Sequence, residues 1–86
     1  METNMKSVRV NVESGMFKSE VVATLDAIGG NYSFFVRKDK IERSGENYFL
    51  KVYLLGENND EKIDTIALPL YVEGAQKRVF DVRQTA

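Results

Sequence analysis

The chain has 86 residues, of which 43% are hydrophobic and 29% are charged, a balance that excludes an intrinsically disordered protein and suits one small core. It has no cysteine and no histidine, which excludes disulfides, zinc–thiolate sites and iron–sulfur clusters and removes the commonest ligand of transition metals. The net charge of -1 gives no broad attraction to nucleic acid or anionic lipid. We expect a single β domain over residues 1–86.

The first predicted strand covers residues 7–13, where valines alternate with polar residues. Alternation at period two is typical of a strand with one buried and one solvated face. Ser14 and Gly15 then break the pattern. We expect a bend there, with Phe17 turned inward.

The next segment, residues 20–28, fits two structures. As a strand it alternates between two faces and turns at the glycine pair 29–30. As a helix it begins at an N-cap, Ser19, and ends at Gly29. Because the segment is short and begins with two valines, we favour a strand. A helix over 20–28, and with it an α+β fold, is the alternative.

Four further strands are predicted in the second part of the chain. Proline cannot donate a hydrogen bond to a ladder, so the strand that contains Pro69 lies at an edge or bends there. Residues 37–47 read as a solvated connection that Ile41 pins to the core. The four strands cover residues 32–37, 48–55, 63–72 and 78–83.

Six short strands joined by turns, with no helical crossover, predict an all-β fold. We expect an antiparallel meander closed into a small barrel or β-roll, in the size class of SH3-like and OB-like barrels. In the predicted strand 63–72, alternation places four apolar residues on one side: Ile66, Leu68, Leu70 and Val72.

No catalytic or cofactor-binding group is predicted. General acid–base and nucleophilic catalysis most often use histidine or cysteine, and the chain has neither. The acidic segment 57–64 lacks the ordered ligand spacing of an EF-hand and reads as a solvated turn. The glycine pair 29–30 precedes a strand and does not open a phosphate-binding helix. We therefore expect a protein that is not an enzyme and takes no metal or cofactor.

The first residues contain neither a signal-peptide pattern nor a long apolar stretch, and the strands alternate with charges. We expect a cytoplasmic protein with no membrane contact.

The most informative feature is the outward face of the predicted sheet, which carries several aromatic and two cationic side chains. Three interpretations fit it: a second small core, a protein interface, or a stacking platform for single-stranded nucleic acid. We favour protein binding, most simply self-association into a homo-oligomer, with single-stranded DNA or RNA binding as the alternative. The predicted binding face consists of Phe35, Arg37, Phe49, Lys51, Tyr53 and Tyr71.

Overall fold

The computed structural model of the protein describes residues 4–15 and 18–84, which form seven strands and one short 3-10 turn. The predicted inward position of Phe17 lies outside the described residues. The strands are β1 (Met5–Ser14), β2 (Glu20–Ala27), β3 (Gly30–Arg37), β4 (Ile41–Ser44), β5 (Asn47–Asn58), β6 (Ile63–Ala67) and β7 (Val79–Arg83), and the 3-10 turn is Lys38–Lys40.

The strands form one antiparallel sheet in the order β3-β2-β1-β5-β6-β7, with β4 beside β5. The first strand has two partners, because Met5–Val10 pairs with β5 and Asn11–Ser14 pairs with β2. The sheet curls so that the backbone N–H of Ile28, just after β2, donates to the carbonyl of Asp81 in β7 at 2.9 Å. The all-β, small, barrel-like fold is therefore confirmed.

The segment with two interpretations is a strand. Glu20–Ala27 pairs with the whole of β3, and the two strands meet at a tight turn in which Gly29 has a φ of 97°. Gly29 adopts this left-handed conformation readily, and the ladder with β3 along the whole segment stabilises the strand. The alternative of a helix over 20–28 is wrong.

The core lies inside the curl and consists of the inward residues of each strand. Because side chains alternate along a strand, the period-two valines of β1 and β2 supply one apolar face each. Two aromatic rings, Phe34 and Phe80, are among the largest buried side chains. The other buried apolar residues are Val8, Val10, Val21, Ala23, Leu25, Ala27, Val36, Leu50, Val52, Ile66, Leu68, Val72 and Val82.

The chain between β6 and β7 corrects the prediction of one strand over 63–72. The strand ends at Ala67, and Pro69 begins a β-turn that closes with the N–H of Val72 donating to its carbonyl at 3.1 Å. Leu68 and Val72 are buried as expected, but Leu70 stands at the corner of the turn and is 89% exposed. The bend follows from proline, which has no N–H to continue the ladder.

The connection predicted over 37–47 contains a further strand, since Ile41–Ser44 pairs with Asn47–Leu50 of β5. Its sequence is mostly polar, so the alternation that marks the other strands is absent. Ile41 packs against the core, as expected.

In the described part of the chain, no helix is long and apolar enough to cross a membrane.

Candidate functional site

The outer face of the sheet carries an apolar row that crosses four strands. Met5 of β1 lies opposite Tyr53 of β5, Tyr53 opposite Ala67 of β6, and Ala67 opposite Val79 of β7. Residues that are direct partners in a ladder point to the same side of the sheet. We call Met5, Tyr53, Ala67 and Val79 the outer row. Its two ends, Met5 and Val79, are exposed.

A β-turn adds two larger side chains beside this row. Leu70 and Tyr71 are the corner residues of the turn closed between Pro69 and Val72, and we call the pair the tip. Burial raises the pKa of the Tyr71 hydroxyl, and the neighbouring Tyr53 raises it further, as does Glu42. The tip follows the outer row along the chain: Leu68, the residue after Ala67, donates its N–H to the carbonyl of Arg78, the residue before Val79, at 2.8 Å.

Charged side chains lie around the same surface, and both signs are present. The ammonium group of Lys51 lies 3.8 Å from the carboxylate of Glu42. The ammonium group of Lys40 stands over the ring of Tyr71, 5.1 Å from its centroid. A cation at that distance from an aromatic face is attracted by the ring quadrupole. The surface is therefore an apolar centre with a mixed-charge border.

The structure brings four of the six predicted binding-face residues to this surface. Phe49, Lys51 and Tyr53 alternate along β5 on its outer side, and Tyr71 joins them through the tip. The sequence did not predict Met5, Ala67 and Val79 of the outer row, nor Leu70 of the tip. Met5, Ala67 and Val79 become neighbours of Tyr53 only through strand pairing, which alternation does not reveal.

The other two predicted residues lie on β3, at the far end of the sheet path. Phe35 packs against Gly74 and exchanges two backbone hydrogen bonds with Glu73, at 2.7 and 2.9 Å. Arg37 forms an exposed ion pair with Asp39 at 3.4 Å. Phe35 and Arg37 are thus on a different strand from Tyr53, but Phe35 lies beside the segment that carries the tip.

Phe35 helps to anchor the segment that carries the tip. Gly74 has a φ of 76°, and a Cβ placed on it would lie 2.8 Å from Cδ2 of Phe35. Further along, the guanidinium of Arg78 donates to the carbonyl of Val72 at 2.9 Å and to that of Pro69. These contacts hold a segment that has no ladder of its own.

We expect Gly74→Ala to lower the free energy of unfolding by about 2 to 3 kcal/mol, because it combines left-handed backbone strain with displacement of the Phe35 ring. Gly45→Ala is the matched control, since Gly45 has a φ of 63° but nothing within 4 Å of its Cβ position. Its expected loss is about 1 to 2 kcal/mol, from strain alone. Urea denaturation measures both. Equal losses would show that the Phe35–Gly74 contact contributes nothing.

Among residues 4–15 and 18–84, no three acidic side chains are grouped so that they could hold a metal ion. The acidic segment forms the connection between β5 and β6, where the side-chain oxygen of Asn58 accepts a hydrogen bond from the N–H of Glu61 at 3.1 Å. Asp64 does not belong to this solvated turn, because it is buried in β6.

Comparison of the chain with protein-family models, with curated proteins and with solved structures found no match.

Proposed function

We propose that the protein is a non-enzymatic binding module that self-associates through the outer row and the tip. The observation that carries the proposal is Leu70, which is 89% exposed at the corner of a turn that begins two residues after Ala67 of the outer row. A protruding leucine beside a row of apolar and aromatic side chains resembles the centre of a protein interface, where aromatic and methionine side chains are enriched.

The charges around the surface favour a second copy of the chain as the partner. A two-fold interface brings the same patch of both subunits together, so the patch must complement itself. A border that contains both Lys51 and Glu42 meets this condition, because each charge can face its opposite on the other copy. The net charge of -1 leaves little repulsion between two chains.

Single-stranded nucleic acid is the less supported partner. A stacking platform needs cations that are free to bind phosphates. Lys51 lies beside Glu42 and Arg37 lies beside Asp39, whereas Lys40 and Arg9 form no ion pair within residues 4–15 and 18–84. Two of the four cations are thus already paired, and the net charge of -1 adds no broad attraction to phosphate. Titration with a single-stranded oligonucleotide, followed by tyrosine fluorescence, distinguishes the two partners, since phosphate binding weakens steeply with salt. The cytoplasmic location expected from the sequence stays a prediction.

We expect the mass of the wild-type protein in sedimentation equilibrium to rise with concentration from one chain to two. Leu70→Asp places a charge at the centre of the interface and should weaken association by at least about tenfold. Because Leu70 is almost fully exposed, the free energy of unfolding should change by less than about 0.5 kcal/mol.

Ser14→Asp is the matched control, because it adds the same charge at an exposed position at the other end of β1. It lies nine residues from Met5, about 30 Å along the strand. We expect it to dimerise like the wild type. A wild-type mass that stays at one chain through the concentration series, or equal weakening by the two variants, would refute self-association through this surface.

A further inference from the structure

A cleft of about 310 Å³ opens between β1, β2 and β7. The ladder between β1 and β2 ends at the pair Asn11–Thr24, and beyond this pair β2 leaves β1 and reaches β7 through the N–H of Ile28. The gap lies on the opposite edge of β1 from β5. The buried residues that line it are Val8, Val10, Leu25, Ala27 and Val82.

Within residues 4–15 and 18–84, part of the β1 backbone that faces this cleft has no ladder partner. In an antiparallel ladder, successive residues direct their N–H and C=O groups to opposite edges of the strand. The carbonyl of Asn4 accepts a hydrogen bond from the N–H of Leu54, so the backbone groups of even-numbered residues of β1 face β5. The N–H of the odd-numbered Gly15 donates to the carbonyl of Glu20, at the start of β2. The odd-numbered Ser7 and Arg9 therefore direct their backbone groups to the edge where β2 is no longer paired.

The end of β7 faces the same gap. The carbonyl of Asp81 accepts from Ile28, and the backbone groups of Arg83, two residues later, point the same way by the same alternation. A free strand edge with unpaired donors and acceptors is a template for another extended chain.

The rim of the cleft is cationic although the whole chain is slightly acidic. Arg9 and Arg83 line it, with Asp26 as the acidic lining residue. Within residues 4–15 and 18–84, neither guanidinium group forms an ion pair. Lys6 also lines the cleft, but its ammonium group is paired with Asp64. Two free guanidinium groups against one carboxylate favour an acidic occupant.

We propose that this cleft binds an extended acidic peptide segment of a partner protein, which adds as a strand along Ser7–Arg9 of β1. Main-chain hydrogen bonds to the free edge supply affinity, as in other cases of strand addition, and the guanidinium groups select acidic side chains. The volume of the cleft lies at the small end of ligand sites and suits a short stretch of chain. The site is separate from the outer row and does not depend on self-association.

The probe is a fluorescein-labelled peptide of nine residues, capped at both ends, in which valine and glutamate alternate. We expect saturable binding in fluorescence polarisation, and Arg83→Glu should weaken it about tenfold. The matched control is Arg37→Glu, which makes the same charge change at an exposed position of β3 outside the cleft. It should leave the affinity within about twofold, since exposed charges more than a Debye length away are largely screened in 0.15 M salt.

Two further probes test the mode of binding. Two methylated peptides are compared, one methylated on the valine nitrogens and one on the glutamate nitrogens. Only one of these alternating sets of N–H groups faces β1, so one of the two peptides should lose binding. Replacement of glutamate by lysine in the peptide should abolish binding to the wild type and restore it in Arg83→Glu. The proposal is overturned by equal weakening in the two arginine variants, by full binding of both methylated peptides, or by no saturable binding up to about 1 mM. Displacement of the acidic probe by a single-stranded oligonucleotide would overturn it in favour of a phosphate site.

Discussion

Replacement of Phe80 by alanine is expected to lower the free energy of unfolding by about 3 to 5 kcal/mol. The side chain is 2% exposed, and its ring lies 4.9 Å from that of Tyr32, centroid to centroid, at an angle of 55°. Tyr32 is on β3 and Phe80 is on β7, the two ends of the sheet path. The pair therefore joins β3 and β7, which the curl of the sheet brings together. Its loss leaves a cavity and also removes a contact between these two strands.

The ammonium group of Lys77 reinforces this junction, since it lies 4.9 Å from the ring centroid of Tyr32 and 5.1 Å from that of Phe80. A domain of this length has a total stability of roughly 4 to 13 kcal/mol, so Phe80→Ala removes a large part of it. Urea denaturation followed by far-UV circular dichroism measures the loss.

The control for this prediction is the neighbouring residue of the same strand. Val79 points outward and is exposed, so Val79→Ala should cost less than about 0.5 kcal/mol. A cost of less than about 1 kcal/mol for Phe80→Ala, or similar costs for both variants, would show that the ring does not close the barrel.

Local patterns in the sequence were sufficient for most of the strands. Val8 and Val10 alternate with polar residues, Phe34 and Val36 share one face of an apolar strand, and all four are buried as the period of two predicted. The β2–β3 hairpin was predictable because a glycine pair joins two apolar segments. The β4 strand was missed because only Ile41 of its four residues is apolar, and its pairing with β5 decides its conformation.

Neighbours across the sheet were not predictable in the same way. Alternation tells which side of a strand a residue occupies, but the pairing of β1 with β5 joins segments about forty residues apart and leaves no local trace. Phe35 and Phe49 both point outward, yet β2 and β1 lie between their strands, a separation of about 14 Å along the curved sheet. Phe35 reaches the segment of the tip through its backbone hydrogen bonds with Glu73, a long-range contact that alternation does not reveal either.

The position of Leu70 shows how one backbone constraint changes a surface. Its phase with Ile66 and Leu68 predicted a buried side chain. The alternation stops at Pro69, because a β-turn begins there and directs Leu70 outward. The exposed leucine on which the proposed interface depends is therefore a consequence of the proline, and the same proline explains why strand alternation could not predict it.

Among residues 4–15 and 18–84, Asp64 is the buried charged residue, although the sequence predicted it to lie in a solvated turn. One carboxylate oxygen accepts a hydrogen bond from the ammonium group of Lys6, and the other accepts one from the amide of Gln84 at 2.9 Å. The same amide also donates to Asn59 at 3.0 Å. The network ties β1 and the end of the described chain to β6.

Burial alone would raise the pKa of Asp64, but the hydrogen bonds from Lys6 and Gln84, with the charge of Lys6, outweigh it and lower the pKa below its ordinary value of 3.8. A carboxyl group whose pKa is lower in the folded state than in the unfolded state stabilises the fold above the unfolded pKa. This stabilisation is lost as the pH falls through the folded pKa. The free energy of unfolding should therefore fall between about pH 5 and pH 2.

We expect Asp64→Ala to lower the free energy of unfolding at pH 7 by about 3 kcal/mol, because it leaves Lys6 without its partner in a mostly buried position. The value lies at the low end for buried pairs because the Lys6 side chain is 23% exposed and partly reaches water. Asp64→Asn keeps the shape and an acceptor for Gln84, so its loss should be smaller. Urea denaturation at several pH values measures both, and the difference between wild type and Asp64→Asn should shrink as the pH falls below 4. A difference that stays constant down to pH 2 would show that the ionised carboxylate does not stabilise the fold, whereas a shrinking one shows that its charge, paired with Lys6, does.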